Sequence, residues 1–61
     1  MKDVKKELKL QERSLAWLSR QIGVSETCVY KWSSGERKPS LAYRLAMASV
    51  LEKPLSALFN E

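Results

Sequence analysis

Residues 14–40, SLAWLSRQIGVSETCVYKWSSGERKPS, carry two helix signals with hardly any chain between them. Leu15, Leu18 and Ile22 recur at spacings of three and four, the period of one helix face, and Ser14 in front of them is a natural N-cap. Gly23 follows where a helix commonly ends in the left-handed conformation. Only Val24 separates it from Ser25, a second N-cap, and Glu26 then complements the positive end of the next helix dipole. That next helix, about residues 25–33, is rich in β-branched and aromatic residues, so packing rather than propensity must hold it. Two helices crossing steeply over so short a link need a small residue at the contact, a glycine in the turn and apolar anchors beyond it. Ser19, Gly23, Val29 and Trp32 meet those needs, the anchors falling six and nine residues after the glycine.

Outward from this pair the same 3.6-residue period continues. In residues 1–12, MKDVKKELKLQE, Val4 and Leu8 suit one stripe of a short helix that Asp3 can cap; Glu12-Arg13-Ser14 breaks the pattern. Residues 33–39, with Gly35 and Pro39 and three charges, form the most loop-like stretch. Ser40 caps a fourth helix from Leu41 to about Leu51, with Leu41, Leu45, Ala48 and Leu51 expected on its inner face. Pro54 suits the first turn of a last short helix ending near Phe59. No strand alternation and no repeat is present. The chain is predicted to be all-α, a single domain over residues 1–61 built as a compact bundle of about five short helices.

The composition narrows the chemistry. Sixty-one residues hold one small domain, and the starting Met favours a complete product. With no His, Ser-His-Asp and Cys-His triads are excluded; with a single Cys, Cys28, a structural zinc site and an internal disulfide are excluded too. Gly23 and Gly35 stand too far apart for a glycine-rich phosphate loop. The longest apolar run is four residues, so no membrane span or signal peptide is expected. A non-enzymatic protein of the reducing cytoplasm follows, needing no cofactor and no metal, and too short to house a small-molecule pocket.

Eleven Lys and Arg against seven Asp and Glu leave a net charge of +4. Residues 1–12 carry +1 (four minus three) and residues 45–61 carry −1 (one minus two). Residues 13–44 carry the remaining +4, from Arg13, Arg20, Lys31, Arg37, Lys38 and Arg44 against Glu26 and Glu36. The excess is thus localised on the second and third helices and the loop after them. A localised basic footprint points to an acidic partner, nucleic acid first and an anionic membrane surface second.

The run S-x3-L-S-x2-I-G-V-S-x3-V-x2-W-x2-G-E-R-K-P-S, from Ser14 to Ser40, resembles the phage Cro and repressor (XRE-type, lambda-repressor-like) helix-turn-helix family, and the following LAYRLAMA resembles that family's fourth helix. The resemblance implies a prokaryotic or phage-encoded transcriptional regulator, acting as a weak dimer on palindromic double-stranded DNA. Its helix-turn-helix spans residues 14–33, with a recognition helix, residues 25–33, in the major groove. Family positions that reach base edges fall on Glu26, Thr27, Tyr30 and Lys31. Backbone positioning falls to Arg13, Ser14, Ser34, Arg37 and Lys38. Two departures stand out: many members have Gln at the position of Leu15, which touches base and phosphate there, and Glu26 puts a carboxylate among phosphates.

Plainer readings stand beside these. The same spacing serves a small helical bundle acting as a protein-interaction module, an antirepressor, antitoxin-like partner or adaptor. Residues 35–39 can be a solvated loop, and Glu26 a dipole partner only. Cys28 reads as a small packed residue. Trp32 reads as core; Trp17, at the edge of its helix stripe, packs on the first helix or meets a partner. Leu51, Leu55, Leu58 and Phe59 form an apolar stripe that either closes the core or supplies a homodimer surface through Leu55, Leu58 and Phe59.

Overall fold

The computed structural model describes residues 1–59. Its elements are five α-helices in succession: α1 (Lys2–Leu10), α2 (Leu15–Ile22), α3 (Glu26–Ser34), α4 (Leu41–Leu51) and α5 (Leu55–Phe59), and no strand occurs among the described residues. The protein is a small all-α bundle.

Serine starts three of the helices. The hydroxyls of Ser14, Ser25 and Ser40 accept from the backbone N–H groups of Trp17 (3.0 Å), Cys28 (3.1 Å) and Tyr43 (3.5 Å), each three residues on. Each serine holds extended backbone while its side chain serves one of the orphan donors of the first turn. The expected cap on α1 is not made. Helix α1 begins one residue before Asp3, so Asp3 lies within the first turn, and Met1 occupies the cap position without a side-chain bond. Asp3 there supports the helix through the dipole instead.

Four helices end the same way, in a left-handed residue. Gly23 (φ 75°) closes α2 and Gly35 (φ 83°) closes α3, conformations that cost glycine little. Glu12 (φ 57°) and Glu52 (φ 56°) do the same after α1 and α4. After α1, the Glu12 and Arg13 N–H groups return to the carbonyls of Lys9 (3.1 Å) and Leu8 (2.8 Å); after α4, those of Glu52 and Lys53 return to Ser49 (3.2 Å) and Ala48 (3.1 Å). The hydrogen-bond pattern of a Schellman closure therefore forms on residues that pay a steric penalty for it.

The core gathers Val4 and Leu8 of α1, Leu18 of α2, Val29 and Trp32 of α3, Met47, Ala48 and Leu51 of α4, and Leu58 of α5. Helix α4 turns a different face inward from the expected one. Leu41 and Leu45 are half exposed (52% and 51%), whereas Met47, Ala48 and Leu51 are buried. LAYRLAMASVL is apolar almost all round, so its pattern leaves the rotation open. The face that packs runs 44, 47, 48, 51, an ideal i, i+3, i+4, i+7 stripe whose first member is the partly buried Arg44. A cation heading the stripe hides it from hydropathy reading; an arginine there lays its aliphatic stem against the core while its head stays at the surface.

Within the chain, the C-terminal stripe closes the core. Leu58 is 3% exposed, and Leu55 and Phe59 pack half-buried beside it. At the far end of α1, the Gln11 side-chain amide donates to the Leu51 carbonyl (3.0 Å) and to a Glu7 carboxylate oxygen (2.9 Å), and Lys53 Nζ lies 3.9 Å from Glu7. These contacts tie α1 to the end of α4 and leave α2 and α3, which pack on one another, with one side of α3 uncovered.

Candidate nucleic-acid interface

Helix α3 has two unlike faces. Val29 (0% exposed) and Trp32 (4%) point inward, which the three- and four-residue spacing converts into an outer stripe of Glu26, Thr27, Tyr30, Lys31 and Ser34. Thr27, Tyr30, Lys31 and Ser34 line one shallow depression of about 300 Å3 with Glu36 at its edge. The structure thus brings together three of the four residues expected to read bases, with one of those expected to touch the backbone. Tyr30 is 49% exposed, a large ring held at the surface, while Lys31 is half-buried with its stem along the helix. The Ser34 hydroxyl donates to the Lys31 carbonyl (3.1 Å), so its hydrogen is spent within α3 and its oxygen faces outward as an acceptor only.

Glu26, the fourth, stands apart at the N-terminus of α3, paired across the turn with Arg20 of α2 at 4.0 Å. Both side chains are more than half exposed, so the pair adds little to stability. Its effect is local: it offsets the carboxylate's charge at the edge of a basic surface. Arg20 was not singled out from the sequence. The signal was there, since Arg20 falls in the last turn of α2 and Glu26 in the first turn of α3, and the short link brings those turns side by side.

The expected backbone contacts occupy two places. Arg13 and Ser14 sit at the entrance to α2. The Ser14 hydroxyl accepts from Trp17 N–H and keeps its own hydrogen for donation; the Arg13 guanidinium carbon lies 4.7 Å from the centre of the Trp17 ring. Trp17 itself is half-buried against the core, which accounts for its place at the edge of the α2 stripe. Arg37 and Lys38 are exposed on the loop after α3, where Gly35 turns the chain and the Arg37 N–H bonds back to the Lys31 carbonyl (3.2 Å). That bond fixes the loop against the end of α3, so residues 35–39 have a defined start. Cys28 is half-buried and packs against the core.

Among the described residues, no helix is long and apolar enough to cross a membrane. Comparison with family models, with curated proteins and with solved structures finds no match to the chain. What the site does is therefore argued from its own residues.

Proposed function

We propose that the chain is a sequence-specific DNA-binding regulator of the phage Cro/repressor type, prokaryotic or phage-encoded and cytoplasmic, with α2 and α3 as its helix-turn-helix. The observation that carries this reading is the division of α3: Val29 and Trp32 anchor it from inside, and Thr27, Tyr30 and Lys31 stand together on the outside beside a basic loop. An α-helix fits the major groove, where each base pair shows a distinct pattern of donors, acceptors and methyl groups.

In this reading Lys31 donates to guanine O6 and N7, Glu26 accepts from cytosine N4, and Thr27 and Tyr30 contact a thymine methyl or hydrogen-bond a base edge. Arg20 holds Glu26 back from the phosphates, which makes a carboxylate tolerable in the interface. Arg13, Ser14, Ser34, Arg37 and Lys38 grip the backbone on both sides of α3. Stacking of Arg13 on Trp17 engages the face of the guanidinium, while hydrogen bonding to phosphate uses its edge, so one residue serves both. Repression follows from occupancy of a promoter, with two copies on half-sites about 34 Å apart. In a homodimer at the C-terminal stripe, Leu55 and Phe59 offer their exposed parts and Leu58 almost nothing.

A second reading, a protein-interaction module, draws on the exposed Leu41 and Leu45 of α4, two large apolar side chains one turn apart. Titration of a labelled duplex pool at stepped salt separates the two. DNA binding gives an affinity that falls steeply as salt rises, with a log–log slope of about −0.9 for each phosphate contacted. Absence of duplex binding at low salt contradicts the proposal and leaves the α4 surface as the functional one.

A further inference from the structure

The geometry points to a binding site for a small ring-bearing anion, an aromatic carboxylate or its like, in a cleft between the end of α3, the loop 35–39 and α5. Short as the chain is, the cleft has a volume of about 460 Å3, against the expectation that no ligand pocket fits. That size falls within the roughly 300–1,000 Å3 usual for small-molecule sites. Its lining divides chemically. Trp32 and Phe59 supply aromatic wall, while Arg37, Lys38 and Arg44 supply positive charge, and no acidic side chain lines it among the described residues. Three cations over two rings suit a ligand that is flat and apolar at one end and anionic at the other: the ring stacks, and the guanidinium forks match a carboxylate.

The loop is shaped for close approach. A side-chain carbon at Gly35 meets nothing within 4 Å, so the backbone at the mouth of the cleft is open. The inference reaches beyond DNA binding and does not need it, because the cleft lies on the other side of Trp32 from the outer stripe of α3. One consequence does rest on the DNA reading: an anion held by Arg37 and Lys38 competes with phosphates for the same two side chains.

The test uses the full chain, without DNA, and naphthalene-2-carboxylate as probe, followed by amide and indole chemical shifts. Saturable binding is expected, with shifts concentrated at the Trp32 indole N–H, Gly35, Lys38 and Phe59. The neutral naphthalene-2-carboxamide and the ringless acetate are each expected to bind at least tenfold more weakly. The double substitution R37Q/K38Q, at two exposed positions, is expected to weaken carboxylate binding at least tenfold, with the unliganded spectrum elsewhere unchanged to certify the fold. Shifts scattered over the lysines of α1, equal binding of the carboxamide, or indifference to R37Q/K38Q overturns the site. Because no DNA is present, failure of the regulator reading leaves this result untouched, and failure here leaves that reading standing.

Discussion

The rings of Trp32 and Tyr43 lie 5.2 Å apart, centre to centre, tilted by 44°, and so join the inner face of α3 to the first turns of α4. The separation and tilt are those of a favourable aromatic pair, worth about 0.5–1.5 kcal/mol beyond the area it buries. Trp32 is core, whereas Tyr43 is 40% exposed and reaches in from the surface. Tyr43→Ala is therefore expected to lower stability by about 1 kcal/mol, a Tm fall of about 4–8 °C for a domain this small. Thermal unfolding followed by circular dichroism checks it, and an unchanged Tm removes the pair from the account of how α3 is held.

Ser19 is the buried polar residue of the core (1% exposed), its hydroxyl donating to the Ala16 carbonyl at 2.7 Å. That carbonyl already belongs to the helical ladder, so the hydroxyl's bond is expendable and the small volume is what matters. Ser19→Ala is expected to change stability by less than about 1 kcal/mol. Ser19→Leu, which forces extra carbons into a filled site, is expected to cost about 1–3 kcal/mol or more. Urea unfolding of the two variants checks the ranking; equal losses contradict it.

The four left-handed helix ends divide into two that suit their residue and two that do not. At Gly23 an added side chain meets no atom within 4 Å, so Gly23→Ala is penalised by backbone conformation alone, about 1–2 kcal/mol. Glu52 already bears that penalty at φ 56°, and Glu52→Gly is expected to raise stability by a few tenths to about 1 kcal/mol, since relief of strain exceeds glycine's added entropy loss. Denaturant midpoints of the two variants should move in opposite directions. A fall for Glu52→Gly contradicts the closure argument.

Those ends also show what the sequence made legible. Gly23 was readable because glycine announces a left-handed residue; Glu12 and Glu52 were not, because nothing in their chemistry does, and the hydrogen bonds that hold them depend on where the chain goes next. The helices with serine caps were legible to within a residue, since Ser14, Ser25 and Ser40 each stand directly before the helix they start. The rotation of α4 was not, because Arg44 heads its buried stripe and Leu41 and Leu45 offered a more apolar one that remains at the surface. At the candidate interface, the outer stripe of α3 followed from Val29 and Trp32 alone. The Arg20–Glu26 and Arg13–Trp17 contacts needed the structure, since each joins side chains from a turn whose geometry the spacing does not define.

Lys31 and Arg37 are expected to fail in different ways. Lys31→Ala should relax preference at one base position, with a loss of about 1–3 kcal/mol for the preferred site. Arg37→Ala should weaken binding to all sequences about equally and flatten the salt slope by about one unit. Titrations of both variants against the preferred site and its single-base substitutions, at several salt concentrations, distinguish a reader from a backbone contact. Uniform loss for Lys31→Ala removes it from the base-reading face, and an unchanged slope for Arg37→Ala removes the loop from the interface.

The central claim is that the outer face of α3 reads DNA sequence, and selection from a random duplex library near physiological salt tests it most directly. The account predicts enrichment of a palindromic motif whose half-sites lie about one helical turn apart. Retained DNA without any enriched motif, or no retained DNA, contradicts it.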